Sequence, residues 1–366
     1  MGFLKNNNLK TDLNAVQRFL KRHFYLNNIC TYYIYMNIKL AINGLGRIGK
    51  CLLLQSIDDP SISICAINAV HLKVDEIEDY INYDTVHGNN RKYDVQIVDE
   101  RHIKIGRHYI VLNRERDRSK IDWGGCEYLI DATGSSLTTN LCLQYGVPYV
   151  IISAPAQDET PSFIYGANHT DYKGENVVSS SSCTSNCLAP VIRRLSDNYT
   201  LDKCCFTTIH SVTASQNIVD SGSTRIRRSG MNIIPHSTGA SREIVKIFPE
   251  LSGRVWGQSV RVPTLNVSLL DLHIEVANDN ITVEDVSALF TDLSSPFNGE
   301  VFAVNTRPLV SGDFCGTTAP AILDLESSLT TGKGSVKLML WYDNEWSYSA
   351  QVIRLLKHMS GTNCNL

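Results

Sequence analysis

Ile38-Lys39-Leu40-Ala41-Ile42-Asn43-Gly44-Leu45-Gly46-Arg47-Ile48-Gly49 begins as an apolar run and then sets its glycines at the spacing GxGxxG. The run predicts a strand over 38–42, a glycine turn over 43–49, a helix over 50–57 and a second strand over 62–67. That is a βαβ unit. In such a unit the first glycine, Gly44, permits the tight turn and the second, Gly46, lets backbone approach a pyrophosphate. The third, Gly49, lets helix and strand pack closely, and the pyrophosphate rests on the N–H groups that open the helix. The motif therefore predicts an α/β protein with a Rossmann dinucleotide-binding domain.

Working outward, apolar runs at 95–98, 109–112, 128–130 and 149–152 continue an open sheet. Beyond Cys183 the pattern changes to longer runs at 204–209, 259–262, 267–276 and 336–342, with helical spacing over 283–293. These predict a second, α+β domain with a large, mostly antiparallel sheet. The expected division is a dinucleotide-binding domain over 36–182, completed by a C-terminal helix over 345–359, and a second domain over 183–344. A chain of 366 residues with 43% hydrophobic content is long enough for two such cores.

Residues 1–35 stand apart as an N-terminal extension. Lys5, Lys10, Arg18, Lys21 and Arg22 face a single acid, Asp12, and Leu13, Val16, Phe19, Leu20 and Phe24 fall on one helical face. An amphipathic targeting peptide, an appended surface helix and a start at Met36 all fit, and the absence of serine weighs against targeting.

A formal net charge of −3, from 34 basic and 37 acidic residues, gives no reason to expect nucleic acid or an anionic membrane as partner. A small-molecule role fits better. The 11 cysteines are scattered without CxxC pairs, so neither a disulfide framework nor a metal centre is expected, and a reducing, cytoplasmic setting is. No stretch approaches the ~20 apolar residues that a membrane helix needs, so a soluble protein is expected.

Two further stretches carry chemistry. In Ser179-Ser180-Ser181-Ser182-Cys183-Thr184-Ser185-Asn186-Cys187-Leu188-Ala189-Pro190, small polar residues follow an apolar strand at 176–178, and Leu188, Val191, Ile192 and Leu195 then recur at helical spacing. Cys183 would open that helix as a candidate nucleophile, its pKa drawn from about 8.5 toward neutrality by unpaired N–H groups and the dipole. Cys187, one turn deeper, is expected to be buried and inert; a packed, unreactive Cys183 is the simpler alternative. The second strand ends Ile67-Asn68-Ala69-Val70, without the acid that usually binds the adenosine ribose. NADP is thereby admissible beside NAD, with His71 or Lys73 as nearby positive charge; plain NAD use with weaker ribose contacts is the alternative.

From Met36 to about Met359 the chain resembles the phosphorylating glyceraldehyde-3-phosphate dehydrogenase family. The likeness rests on the glycine turn, Tyr83-Asp84-Thr85-Val86-His87-Gly88, Ile151-Ile152-Ser153-Ala154-Pro155, the cysteine turn and Thr207-Thr208-Ile209-His210-Ser211-Val212-Thr213-Ala214. It continues through Asn232-Ile233-Ile234-Pro235-His236-Ser237-Thr238-Gly239-Ala240, Arg261-Val262-Pro263-Thr264-Leu265-Asn266-Val267 and Trp341-Tyr342-Asp343-Asn344-Glu345-Trp346. The resemblance implies that Cys183 attacks the aldehyde of a phosphorylated sugar and that His210 is its general base. It implies a substrate-phosphate site of Thr213, Arg261 and Arg225, and an attacking-phosphate site of Ser182, Thr184, Thr238 and Gly239. For the cofactor it implies Gly44, Gly46, Arg47, Ile48, Gly49, Asn68, Arg116, Thr133, Gly134 and Ser153, with Asn344 on the nicotinamide carboxamide and Tyr348 lining that pocket. A homotetramer acting in glycolysis or gluconeogenesis is implied as well. Erythrose-4-phosphate dehydrogenase, a sister family with the same cysteine turn, and a catalytically silent binding protein are the alternatives.

The chain departs from the family's pattern in three places. The segment 216–235 is shorter than usual, the second-strand acid is missing, and Ser180-Ser181 replaces Asn-Ala before the nucleophile, a change expected to be neutral.

Overall fold

The computed structural model describes residues 37–89, 92–213, 216–219, 230–277 and 280–361; the N-terminal extension and Arg225 lie outside the described residues. The glycine turn is embedded in an eight-stranded sheet. Its order is Val177–Ser179, Tyr149–Ile152, Tyr128–Asp131, Ile38–Asn43, Ile62–Asn68, His108–Asn113, His102–Ile105 and Val95–Asp99. The first six run parallel, His102–Ile105 runs antiparallel to them, and Val95–Asp99 reverses again. Ile38–Asn43 lies between Ile62–Asn68 and Tyr128–Asp131, so the chain winds outward from it in both directions. At that switch point a crevice opens beyond the carboxyl ends of the strands.

The helix begins at Arg47, earlier than the apolar spacing suggested, because Gly46 already supplies the extended residue before it. Gly49 shows why the third glycine is required. A Cβ there would lie 1.8 Å from the Gly44 carbonyl oxygen. Gly44 itself has φ +89° and faces Ala132 and Thr133. Gly49→Ala is therefore expected to push helix Arg47–Asp58 off its strand and cost about 3 kcal/mol, the upper range for overpacking. A urea unfolding midpoint equal to that of the parent chain would show this packing to be less tight than it looks.

A second sheet of seven strands runs Ile234–His236, Val255–Arg261, Leu201–His210, Ser268–Val276, Ser335–Tyr342, Ala321–Gly332 and Phe302–Asn305. It is mostly antiparallel, with parallel pairing only at its second and last joints. Strands Ser268–Val276 and Ser335–Tyr342 alternate buried and half-buried side chains, the mark of a sheet covered on one face. Ala321–Gly332 and Phe302–Asn305 escaped the sequence reading, the first because its second half, Glu-Ser-Ser-Leu-Thr-Thr, loses the apolar run. Val267, expected to open a strand, instead holds a left-handed φ of 64° and the strand starts at Ser268.

Each sheet has its own core. Leu188, Val191, Ile192 and Leu195 of the helix Cys183–Ser196 pack with Leu270, Leu272, Leu338 and Leu340 of the second sheet. The last helix, Trp346–Met359, returns to the first core, where Val352, Leu355 and Leu356 join Leu52, Leu53 and Ile42. Among the described residues no helix is long and apolar enough to cross a membrane.

Candidate active site

Strand Val177–Ser179 leads into a sharp turn before the helix that Cys183 opens. Ser181 takes a left-handed backbone, φ 58°, which costs a non-glycine residue about 1–2 kcal/mol and needs anchors. The anchors are present. Ser181 N–H donates to Ser179 Oγ at 2.9 Å, its carbonyl accepts from the Tyr348 hydroxyl at 2.9 Å, and its Oγ donates to the Glu243 carboxylate at 3.1 Å. Asn186 Nδ2 ties the carbonyls of Ser180 and Ser182 at 2.7 and 2.9 Å. Ser182 caps the helix, its Oγ accepting the Ser185 N–H at 3.1 Å. Ser180, Ser181 and Tyr348 all bond within this turn. The hydroxyls of Ser180 and Ser181 are buried and bonded, so the Ser-Ser substitution is built into the turn. Tyr348 directs its hydroxyl onto the turn, at 2.8 Å from Ser180 Oγ, so the turn holds its polar end.

Cys183 Sγ lies 3.4 Å from His210 Nε2, the imidazole standing at the last position of strand Leu201–His210. Burial and the neighbouring Arg261 guanidinium push the imidazole down to about 3, so it is neutral. Burial also pushes the Cys183 thiol up, and Arg261 and the first-turn Thr184 only partly offset it. The expectation of a thiolate poised near neutrality thus gives way to a neutral thiol facing a neutral acceptor. Desolvation outweighs the helix terminus because only the first turn of N–H groups acts on the sulfur. Cys187, buried in the second core, has its thiol pushed well up, as expected of an inert cysteine.

Arg261 is the register partner of His210 on the adjacent strand. Its Nη1 donates to the Ser211 carbonyl at 3.1 Å and also contacts His210 Nδ1, while its Nε is buried with no partner among the described residues. An orphaned buried guanidinium donor is what an anionic substrate would satisfy. Thr213 lies just past His210 and donates its backbone N–H to Gln216 Oε1 at 3.0 Å. Thr184 Oγ1 is 3.0 Å from the buried Tyr342 hydroxyl. Thr238 and Gly239 lead into helix Ala240–Ile247, where Thr238 Oγ1 accepts the Ala240 N–H at 3.2 Å and Gly239 adds no side-chain cap. Asn344 Oδ1 accepts from Ser211 Oγ and Ser268 Oγ, both at 2.9 Å, which assigns its amide and leaves Nδ2 as a donor.

A cleft of about 610 Å³ opens at the switch point, lined among others by Gly44, Gly46, Asn68, Arg116 and Thr133. It accepts a dinucleotide on physical grounds: nothing lies within 4 Å of a Cβ built on Gly46, and helix Arg47–Asp58, with Ile48 and Gly49 in its first turn, has no side-chain cap. Its floor is a buried network. The Asp131 carboxylate accepts from Asn43 Nδ2 at 3.0 Å, from Thr133 Oγ1 at 2.7 Å and from the Tyr145 hydroxyl. Asn68, where an acid was awaited, donates to Asn43 Oδ1 at 2.9 Å and clasps the backbone of Glu115 at 2.9 and 3.0 Å. His71, Glu115, Arg116 and Arg118 also line the cleft. Lys73 is paired with Glu76 at 3.6 Å instead.

Three cofactor candidates sit differently from the rest. Arg47 turns its guanidinium onto Asp84 and Glu345, each at 2.6 Å, so it has only backbone to offer a phosphate. Ser153 is bound through its N–H and Oγ to the Asp131 carbonyl, both at 2.9 Å, and Gly134 holds φ +67° in the exposed turn after Thr133.

Residues 38–139 match the family profile "Glyceraldehyde 3-phosphate dehydrogenase, NAD binding domain", and residues 182–344 match its "C-terminal domain" counterpart. The chain belongs to the glyceraldehyde-3-phosphate dehydrogenase family. The glyceraldehyde-3-phosphate dehydrogenase of Atriplex nummularia is 35% identical over 339 residues, 90% of this chain and 94% of its own length. Glyceraldehyde-3-phosphate dehydrogenase 1 of Trichoderma koningii is 38% identical over 332 residues, covering 88% of this chain and 97% of its own. The glyceraldehyde-3-phosphate dehydrogenase of Phytophthora infestans is 38% identical over 333 residues, 88% of this chain and 99% of its own. Like the rest of the glyceraldehyde-3-phosphate dehydrogenase family, the chain is an oxidoreductase with a nicotinamide dinucleotide-binding domain.

Several residues of this glyceraldehyde-3-phosphate dehydrogenase site were not singled out from sequence: Asp131, Tyr145, Ser211, Ser268 and Glu243. Asp131 had a readable signal, an acid ending an apolar strand predicted to share the sheet with the glycine turn; the others had none. Ligand atoms of Cys51, His87 and Glu345, and of His87, Cys315 and Asp343, also come together. Their carboxylates are already engaged, Glu345 by Arg47 and Asp343 by the N–H groups of Gly316, Glu345 and Trp346. The first of these clusters ties Cys51 of helix Arg47–Asp58 to Glu345 at the start of the last helix.

Proposed function

We propose that the chain catalyses the reversible oxidative phosphorylation of glyceraldehyde 3-phosphate to 1,3-bisphosphoglycerate with NAD or NADP, in glycolysis or gluconeogenesis. The observation that carries this reading is the 3.4 Å approach of Cys183 Sγ to His210 Nε2 beside the Arg261 Nε, which has no partner among the described residues. As sulfur attacks the aldehyde carbon, the thiol proton passes to Nε2 and a thiohemiacetal forms. His210 and the Cys183 N–H stabilise its oxyanion. A dinucleotide held in the cleft would take the hydride from the thiohemiacetal carbon, leaving a thioester on Cys183, and Asn344 Nδ2 would orient its carboxamide. Inorganic phosphate then displaces Cys183 from the thioester, giving the acyl phosphate and the free thiol.

The base requires one tautomer. His210 Nδ1 lies 2.8 Å from the Ser211 carbonyl, and an N–H donated there leaves Nε2 free to accept. An Nδ1 that accepted from Arg261 would put the proton on Nε2 instead. A substrate phosphate that draws the guanidinium toward itself and Thr213 selects the productive form. Ser182 and Thr184 on the nucleophile turn, with Thr238 and Gly239, receive the attacking phosphate. In this division 36–182 and the helix over 345–359 serve the dinucleotide, and 183–344 serves the chemistry.

Steady-state rates on glyceraldehyde 3-phosphate and erythrose 4-phosphate, with and without inorganic phosphate, test the assignment. A phosphate-independent preference for the four-carbon aldehyde overturns it. For the coenzyme, we read the cleft as admitting NADP beside NAD, since His71, Arg116 and Arg118 face it and Asn68 is neutral. Ala69→Asp, which restores a carboxylate beside the ribose position, is expected to lower kcat/KM with NADP about tenfold or more and to spare NAD. A parent enzyme that already prefers NAD about a hundredfold, nearly 3 kcal/mol, defeats the NADP reading. We further propose a cytoplasmic homotetramer; relatives from Taxus baccata and Zea mays carry "cytosolic" in their names.

A further inference from the structure

The buried carboxylate of Glu243 has no part in the chemistry above, yet its surroundings are built. It is 4% exposed, and its Oε2 accepts from Ser181 Oγ at 3.1 Å and from Ser162 Oγ at 3.0 Å, while Lys246 Nζ approaches Oε1 at 3.4 Å. Burying a carboxylate is expensive unless it is hydrogen-bonded, and packing alone would be served as well by an apolar side chain. The bonds it makes are placed with purpose. Ser181 is the left-handed residue of the nucleophile turn, and Ser162 is bridged to Ser179, the last residue of the strand that leads into it.

Glu243 lies in the first turns of helix Ala240–Ile247, directly after Thr238 and Gly239. Its carboxylate therefore straps two segments that are far apart in sequence: the helix start carrying Thr238 and Gly239, and the turn carrying Ser182, Cys183 and Thr184. On the reading given above, these are the two halves of the attacking-phosphate site. We propose that Glu243 is a positioning residue for the phosphate-dependent step, holding those halves at a fixed separation. The substrate-phosphate residues do not depend on it in the same way. Arg261 and His210 are joined through the backbone pairing of their own strands, and Thr213 follows directly from that pairing.

Glu243→Ala is expected to raise KM for inorganic phosphate about tenfold, with KM for the aldehyde and for the dinucleotide within about twofold. The pre-steady-state burst of reduced dinucleotide, which reports acylation, keeps its amplitude. Glu243→Gln, whose amide can still bond both serine hydroxyls, recovers most of the phosphate KM. A merely structural carboxylate would lower Tm and the active fraction while leaving the phosphate KM alone, and that result overturns the proposal. Thr238→Ala separates this inference from the reading on which it rests. If Thr238→Ala raises the phosphate KM and Glu243→Ala does not, the strap is wrong and the phosphate corner stands; if Thr238→Ala has no effect, the phosphate corner itself is wrong. Should Glu243→Ala fail to fold, Ser181→Ala carries the test, with a smaller rise in phosphate KM expected and an unchanged value counting against the strap.

Discussion

Cys183→Ser lowers kcat about 10⁴-fold or more, because an alcohol is a far weaker nucleophile than a thiol and the acylation step has no substitute. The fold tolerates the change. Residue 183 is the first of its helix, the cap comes from Ser182, and a hydroxyl there leaves the bonds around Ser181 untouched. Tm and dinucleotide affinity should match those of the parent chain. Iodoacetate offers the complementary measurement on the unaltered protein. Burial pushes Cys126, Cys142 and Cys204 up to about 12, so these thiols stay unmodified at neutral pH. Cys205 is exposed and serves as an internal reference thiol. Peptide mass analysis should find activity lost in proportion to carboxymethylation of Cys183 and independently of that of Cys205. Activity that survives stoichiometric labelling of Cys183 would sink the mechanism.

His210→Gln is expected to lower kcat/KM about 10²- to 10⁴-fold, the ordinary range for removing a positioned base. It should also change how stability depends on pH. The folded imidazole titrates at about 3 and the unfolded one near 6.5. As pH falls from about 6.5 toward 3 the unfolded chain binds a proton that the folded chain refuses, so stability present at neutral pH is lost with acidification. His169, pushed down to about 4, and His108 and His358, both lowered mainly by burial, act in the same direction. The parent chain should therefore lose Tm steadily on acidification below about pH 6.5, and His210→Gln should lose less by the share of one proton. Identical pH slopes for the two proteins, or a variant that keeps its rate, would remove His210 from the role given to it.

The glycine turn, the nucleophile turn and most strands of the first sheet were legible because each is a local pattern. Period, glycine spacing and small residues before an apolar helix all act within about one supersecondary unit. The second sheet was read only where apolar runs persisted; Ala321–Gly332 becomes a strand because Ser335–Tyr342 pairs with it, which no local spacing announces. The ionisation of the site was misread for a related reason. A helix terminus is visible in sequence and argues for an acidic thiol, whereas the desolvation that overrides it comes from residues distant along the chain.

From the sequence alone came the dinucleotide-binding βαβ unit, Cys183 as a candidate nucleophile opening a helix, and the absence of an acid at Asn68, while His210 entered through the family resemblance. The first three are matters of residue identity at a spacing that the backbone converts directly into position. The tertiary structure alone decided that Asn68 is a clasp within the Asp131, Asn43 and Tyr145 network, that Arg47 faces Asp84 and Glu345, and that Glu243 reaches Ser181 across 62 residues. Such bonds depend on which strands become neighbours and which side chains lose their water together, and those are properties of the packed chain.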